Sequence, residues 1–422
     1  MAEVISCIEH QTLPVVEKRQ TGEIALDKQH AETLSKLKSM PSAAFTWGHN
    51  SIKLAQYCGV VQLGDLTLEV LPKIYGKEND KGSSRAALIR MLRKAGLIKL
   101  QRLGDAGINL QRHTLLDVFI LDFCTQLNTQ LIQGKLRQYI SIEENLPVLR
   151  GKLLANQQMR HNLAHRERLF CQYDELSEDI FINQVIKFTL RLLLPKTRSD
   201  SVKKAVRQLL YAFDGISDIH INSQKLELLI VDRTAARYKT VIDLCLLFIE
   251  SLSPDTNAGK NQSFALMFDM NQLFENWVAS ILKPVAHKNG LRLREQGPRK
   301  YLAYRPDIDR SVFQMKPDIC LLDEWGKPVL IADAKWKLLE KNEAKLGISQ
   351  PDLYQMQAYA SRYGVQNLAL IYPQQKGMQA QYELNIQGDF PSKLNILTVD
   401  INCLAQNDFR LEVSHLLQSG SR

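Results

Sequence analysis

Lys316-Pro317-Asp318-Ile319-Cys320-Leu321-Leu322 and Val329-Leu330-Ile331-Ala332-Asp333-Ala334-Lys335, joined by Asp323-Glu324-Trp325-Gly326-Lys327-Pro328, decide the reading of this chain. The apolar runs Ile319–Leu322 and Val329–Ala332 flank a Gly- and Pro-bearing connection, which predicts a β-hairpin. If the hairpin is symmetric about the bond between Trp325 and Gly326, Asp318 falls opposite Asp333. Strand alternation sends Asp333 and Lys335 to one face. Two carboxylates and one ammonium then meet at the open end of an apolar hairpin. Metal-dependent phosphodiester cleavage needs such a set: carboxylates hold a hard divalent cation, while lysine orients water or neutralises phosphate charge. Charged residues at strand ends are nonetheless common, and Asp-x-Lys alone recurs by chance.

Working outward, the helix expected over Phe264–Leu282 carries Leu273, Phe274, Trp277, Val278, Ile281 and Leu282 on one broad face. Glu275 sits at the edge of that face, able to reach the acidic cluster or simply to face water. Extended segments are expected around 291–296, 312–322 and 329–336. Pro351-Asp352 opens a helix over Leu353–Tyr363, where Gln355 and Tyr359 lie one turn apart. The strands Leu368–Tyr372, Tyr382–Ile386 and Leu394–Val399 lead to a short polar C-terminus. This order predicts a small α/β sandwich with its acids on the central hairpin.

Upstream, Ile52–Leu63, Gly64-Asp65 and Leu66–Leu71 read as a hairpin, with Leu66, Leu68 and Val70 on one face. Ala31, Leu34 and Leu37 mark one short helix. Gly76–Ser84 and Ser251–Asn261 read as linkers. Between them the period is mainly helical, with helices at Ala87–Leu92, Leu115–Leu131, Ile180–Leu194, 200–213 and 238–252. An extended stretch, Gln138–Leu153, carries Arg150-Gly151 at a projecting turn. Ser177 is the expected N-cap of the Ile180–Leu194 helix, with Glu178 and Asp179 in its first turn. His161 and His165 stand i, i+4, but no Glu follows the first as in a zinc-protease motif; a basic face, solvated or in contact with phosphates, explains them better. The division is residues 1–80 β-rich, 81–260 mainly helical and 261–422 α/β, within a multidomain α+β protein.

Bulk composition narrows the class. The 422 residues are 45% hydrophobic and 23% charged, enough to bury a core in two or three domains. Lys and Arg outnumber Asp and Glu by 54 to 45, a net +9 that suits a polyanionic partner. The seven cysteines are scattered without ligand spacing, which argues against structural zinc and a disulfide framework and fits a reducing cytoplasm. No apolar stretch approaches a membrane span, and the N-terminus lacks signal-peptide character.

Pro317-Asp318 … Asp333-Ala334-Lys335 resembles the P-D…(D/E)-x-K signature of restriction-endonuclease-like nucleases. More narrowly, the chain resembles the McrC family of nuclease subunits from modified-cytosine restriction systems. That resemblance is carried in order by Leu63–Ile74, Leu149-Arg150-Gly151-Lys152-Leu153, Tyr173–Asp179 with Asn183, Phe268–Val278, Asp333–Trp336, Leu353–Tyr359 and Leu370–Pro373. It implies a Mg²⁺-dependent DNA endonuclease using Asp318, Asp333 and Lys335, with Asp318 and Asp333 on the metal and Glu275 and Gln355 assisting. It also implies an N-terminal region that docks on an AAA+ GTPase ring and stimulates it. The chain has no G-x-x-x-x-G-K-[ST], so it supplies no P-loop motor itself. Lys316, Lys337, Lys341 and Lys345 are candidates to follow a DNA backbone, or simply a solvated basic loop. Cutting both strands would need paired copies. Two rivals stand: a non-catalytic adaptor of the partner NTPase, and a stand-alone repair nuclease of the same superfamily.

Overall fold

The computed structural model describes residues 3–37, 40–74, 80–97, 114–164, 167–197, 199–221, 226, 233–252, 263–375, 377–388, 390–401 and 407–419. The protein is mixed α+β with several small sheets. It forms two compact units: residues 1–115 together with 255–422, and residues 116–254. The sequence divides the chain in series, whereas packing gathers its two ends. Phe264–Asp269 is the reason, because it adds to the N-terminal sheet as an antiparallel neighbour of Tyr57–Leu63.

That strand corrects the sequence reading, which ran a single helix from Phe264. Its first residues are buried apolar ones whose backbone is satisfied by pairing, and Met270 N donates to Gln56 O at 2.9 Å. The helix proper is Met270–Lys288, capped by Asp269, whose carboxylate accepts from Asn271 N at 2.8 Å. Pairing here also demands Gly59. It lies opposite Met267 at φ +152°, and a Cβ would collide with the Leu266 carbonyl oxygen.

The N-terminal sheet runs Glu3–Ile8, Leu66–Leu71, Tyr57–Leu63, Phe264–Asp269, with only the first pair parallel. The expected hairpin is present, turning at Gly64-Asp65 with Leu63 opposite Leu66. Its first arm is shorter than expected, because Ser51–Leu54 belongs to a separate small sheet with Thr12–Val16, Phe45–Trp47 and Leu26–Asp27. The helix Lys28–Ser35 seals this core with Ala31 and Leu34. Residues 81–84, read as linker, begin the helix Lys81–Lys94, whose N-cap Asp80 accepts from Ser83 N. Residues 75–79 lie outside the described residues.

A six-stranded mixed sheet forms the C-terminal part. Its order is Arg292–Glu295, Ile319–Leu322, Pro328–Ala334, Asn367–Pro373, Ser392–Val399, Gln381–Ile386. Pro328–Ala334, Asn367–Pro373 and Ser392–Val399 run parallel; the other neighbours are antiparallel. Cys320, Ile331, Leu368, Leu370 and Leu394 pack with Met356, Tyr359 and Tyr363 of the helix Gln350–Tyr363. The alternate residues Ile319, Leu321, Leu330 and Ala332 are equally buried, on the face where Met270–Lys288 packs. Both faces are thus covered, which is why these strands read as apolar runs. Two further elements correct the sequence reading. Lys300–Arg305 and Arg310–Met315 form a separate two-stranded ribbon, and the supposed polar C-terminus is a helix, Asn407–Ser419.

The other unit holds the helices Phe181–Leu193, Asp200–Ala212 and Lys239–Leu252, most of Leu115–Ile132, and a three-stranded sheet of Gln138–Leu146, Leu169–Ser177 and Lys152–Leu153. Ser177 ends a strand rather than capping a helix. The helix starts at Phe181 without a side-chain cap, and Ser177 Oγ instead accepts from Asp179 N at 3.0 Å. Gly151 at φ +71° makes the expected turn beside Arg150, where a Cβ would meet the Gln172 carbonyl. His161 stacks on Phe170, while His165, Arg166 and most of the expected linker at 251–261 lie outside the described residues.

Candidate active site

Hairpin register places the acids. Ile319 pairs with Ala332 and Cys320 with Ile331, and a bulge between Leu321 and Leu322 absorbs the irregularity near the turn. Continuing the register by one step sets Asp318 opposite Asp333, as symmetry of the connection requires. Two bonds lock this end: Asp318 Oδ2 accepts from Ala334 N at 3.0 Å, and Asp318 O accepts from Gln296 N at 3.0 Å.

Asp333 is only 1% exposed, and Lys335 Nζ ion-pairs with its Oδ2. Its other oxygen, Oδ1, is buried without a hydrogen-bond partner among the described residues. Lys335 Nζ also donates to Gln355 Oε1 at 3.4 Å and lies 3.7 Å from Asp352 Oδ1. Gln355 Nε2 in turn donates to the Tyr359 hydroxyl at 2.8 Å. The expected alternation holds, since Asp333 and Lys335 both address the helix Gln350–Tyr363. Glu275 enters from the opposite helix, half-buried, accepting from Gln296 Nε2 at 3.1 Å.

Crowded carboxylates in a poorly hydrated corner resist ionisation together. Burial, then the charges of Asp333 and Glu275, push the Asp318 carboxyl upward. Glu275 is raised to about 7 by burial first and Asp333 second. Burial works against the Lys335 ammonium, but Asp333, Asp352 and Asp318 together hold its pKa above the ordinary value. The corner thus gathers the carboxyls of Glu275, Asp318, Asp333 and Asp352 around the Lys335 ammonium.

The donor set suits one manner of holding a divalent ion. Among the described residues no three His, Cys, Asp or Glu side chains converge to cage one. Mg²⁺ does not ask for that, since it is commonly held by one or two carboxylates with water and phosphate completing its shell. Asp318 and Asp333, with the unpartnered Asp333 Oδ1, fit that manner of binding.

Three residues escaped the sequence reading. Asp352, noted only as a helix opener, is buried and binds Lys337 Nζ at 3.2 Å as well as approaching Lys335. Gln296 bridges Glu275 and the Asp318 backbone from a left-handed conformation, a role invisible in composition. Trp336 is fixed by Glu9, which follows the first strand of the N-terminal sheet and whose Oε1 accepts from the indole Nε1 at 2.9 Å. Its ring packs on Phe274, next to Glu275, with centroids 5.4 Å apart. A Trp flanking Asp-x-Lys was the available signal. Of the four lysines proposed for DNA, Lys337 is tied to Asp352 and Lys345 lies 3.9 Å from Glu343; Lys316 stays exposed.

Fold and cluster together define a mixed α+β protein with an acid–ammonium site at a hairpin end. The chain belongs to the family described as the McrBC 5-methylcytosine restriction system component, whose model matches residues 52–373 and so spans the cluster. The type IV methyl-directed restriction enzyme EcoKMcrBC of Escherichia coli (strain K12) is 26% identical over 117 residues, 28% of this chain and 34% of that protein. The chain thus matches about a third of the length of that curated relative. Among solved structures, the refined half-complex from the tetradecameric assembly of Thermococcus gammatolerans McrB AAA+ hexamers with bound McrC holds a chain similar in fold. Its TM-score is 0.74 at 21% identity, covering 98% of this chain and all of that one. The cryo-EM structure of the Thermococcus gammatolerans McrBC complex matches with a TM-score of 0.50 at 24% identity, over 67% of this chain and 88% of the other. No helix of the described residues is long and apolar enough to cross a membrane.

Proposed function

We propose that the chain is the DNA-cleaving subunit of a modification-dependent, type IV-like restriction system, driven by and stimulating an AAA+ GTPase ring. The observation that carries this reading is the buried, half-partnered Asp333 beside Asp318 and Lys335 in a member of this family. Asp318 and Asp333 would hold Mg²⁺; when bound there, it supplies Lewis acidity toward a scissile phosphate and a more acidic attacking water. Lys335, kept charged by its acidic neighbours, orients that water or neutralises charge growing on the phosphate. Gln355 fixes the lysine head, and Tyr359 fixes Gln355. Glu275, with a carboxyl raised to about 7, is suited to exchange a proton near neutral pH or to join the metal once ionised. The likeness to a chain solved in an assembly of McrB AAA+ hexamers with bound McrC supports the ring partner. Arg150, at the Gly151 turn, stacks on the Tyr173 ring at 3.9 Å and is a candidate contact to that ring. Double-strand cutting needs two such sites and hence paired copies.

The test is one assay on methylated and unmethylated plasmid with Mg²⁺, with and without the candidate motor protein. Asp333→Ala is expected to abolish cutting while partner-stimulated hydrolysis persists. Undiminished cutting by that variant removes the site assignment. A wild type that never cuts under any of these conditions favours the non-catalytic adaptor.

A further inference from the structure

The ribbon of Lys300–Arg305 and Arg310–Met315 does not behave as a structural hairpin. Residues 301 to 311 are all exposed, and among the described residues the ribbon pairs with no other strand. A two-stranded ribbon with no apolar face to bury is marginal in water. This one nevertheless displays Tyr301, Leu302, Tyr304, Ile308 and Phe313, with Phe313 74% exposed. At Phe313 the ladder is interrupted: Tyr301 pairs with Gln314 and Ala303 with Val312, while Phe313 takes φ +57°. A bulky aromatic in the left-handed region is strained, and burial offers no compensation here.

Charge says what the arm meets. From Arg299 to Lys316 there are five cations and two acids. Both acids are engaged within the ribbon, Asp307 by a two-bond pair with Arg305 at 2.9 Å and Asp309 by the Tyr304 hydroxyl. Arg305 and Arg310 are direct cross-strand partners; Asp307 offsets the first of the two like charges, which leaves the second to be answered from outside the ribbon. Arg310 has no anionic partner among the described residues.

The base of the ribbon is firm. Arg362 Nε donates to Tyr301 O at 2.8 Å, and the Tyr363 hydroxyl donates to Pro298 O at 2.6 Å. Met315 joins the core under the helix Gln350–Tyr363, and only Lys316 and Pro317 separate it from Asp318. Six residues per strand give an arm of about 20 Å, anchored beside the acid cluster and free at its tip.

From these features we infer that the ribbon is a DNA-gripping arm of the cleavage site. Arg310 holds one backbone phosphate and Arg305 a second, which displaces Asp307 from its guanidinium, and Phe313 with Tyr304 offers faces to base edges or unstacked bases. A two-stranded ribbon is of a size that enters a duplex groove, and arginine interleaved with exposed aromatics supplies both the phosphate contacts and the stacking faces that nucleic acid uses. This rests on the nuclease reading above and deepens it, by naming where the duplex is held.

The test measures anisotropy of a labelled duplex of about 30 base pairs, with Ca²⁺ in place of Mg²⁺, using the full chain alone and with the motor protein. The double variant R305Q/R310Q is expected to raise Kd at least tenfold. It should also make the plot of log K against log salt shallower by about 1.8, the loss of two phosphate contacts. Phe313→Ala should weaken binding at least about fivefold with the salt slope unchanged. Circular dichroism and thermal melts identify any variant that fails to fold, and Arg310→Lys, which keeps the charge, should recover most of the slope. Asp333→Ala is expected to fail to cut while the arm's share of the salt slope persists in it, so loss of cutting and loss of grip are read separately. Wild-type affinity and slope in R305Q/R310Q would overturn the arm and point to a protein partner instead. So would a wild type that binds no DNA in either setting.

Discussion

Two carboxylates buried on strands of the same unit, Glu69 and Asp333, are each 1% exposed and each paired with a cation. Their surroundings differ in one respect. Glu69 accepts from Arg85 through both oxygens, from Ser6 Oγ at 2.9 Å and from Leu115 N at 3.1 Å. Asp333 has the Lys335 ammonium on one oxygen and, among the described residues, no hydrogen-bond partner on the other. A buried acid that serves packing is saturated with donors, because each unmet lone pair destabilises the fold. A buried acid left half-satisfied keeps an oxygen able to accept one more partner. The pairing of Asp318 and Asp333 adds the second sign, since packing alone would not bring two acids to one hairpin end.

The contrast predicts opposite consequences for similar substitutions. Asp333→Asn should lower cleavage by at least about a thousandfold, of the order expected when a metal-holding carboxylate is lost. Its thermal stability without metal should be unchanged or higher, because repulsion with Asp318 and Glu275 is relieved. Calorimetry beside the plasmid assay checks both halves, and a marked fall in stability would mean Asp333 is structural after all.

Glu69→Ala should do the reverse. It strands Arg85, whose side chain is only 12% exposed, and breaking such a pair costs about 3–5 kcal/mol. Denaturant unfolding measures the loss. If Glu69→Ala folds as well as wild type, saturation with donors is not what marks a structural acid.

Glu9 stands between the two cases. It is buried and bound by Lys73 N at 2.7 Å and by the Trp336 indole, yet its Oε2 has no partner within hydrogen-bond reach; burial raises its carboxyl to about 7, against the partial relief of those two donors. The sign follows from linkage: between the ordinary carboxylate range near 4.5 and about 7 the folded state holds a proton that the unfolded state has released. Stability from this group is therefore full below that window and is lost as pH rises through it. Glu9→Gln, permanently neutral, should flatten the fall by about 1–3 kcal/mol across the window, read from unfolding curves at pH 5 and 8. Because Trp336 reports on the same contact, its fluorescence should shift with pH in wild type and stay constant in the variant.

How much of this was legible beforehand depended on whether the signal was local. The hairpin symmetry placed Asp318 against Asp333, and alternation placed Lys335 with it, because a two-stranded turn fixes register by itself. Gln355 over Tyr359 was equally readable from helical spacing. Phe264–Asp269 was not, since its partner Tyr57–Leu63 lies some two hundred residues away, and a buried apolar run looks the same in a strand and in a helix. The extended segment expected at 312–322 caught most of the ribbon's second strand, but its first, Lys300–Arg305, escaped for the opposite reason: it has no apolar periodicity, because neither face is buried. Gln296 and Glu9 act on the site only through tertiary contacts that no spacing encodes.

Tyr359 gives the smallest and most discriminating test of the site's organisation. Its hydroxyl accepts from Gln355 Nε2, and burial, then the charge of Asp333, push its pKa upward, so it remains neutral throughout the working range. Tyr359→Phe removes one hydrogen bond and leaves the ring packed against Tyr363, a loss of about 1 kcal/mol in stability. If Gln355 is there to aim Lys335, the freed amide should let the lysine head wander, lowering kcat severalfold with KM for DNA unchanged. A purely structural hydroxyl would leave kcat alone. Gln355→Ala should then reproduce and exceed the kcat effect, and combining it with Tyr359→Phe should add nothing, because both act through the same ammonium.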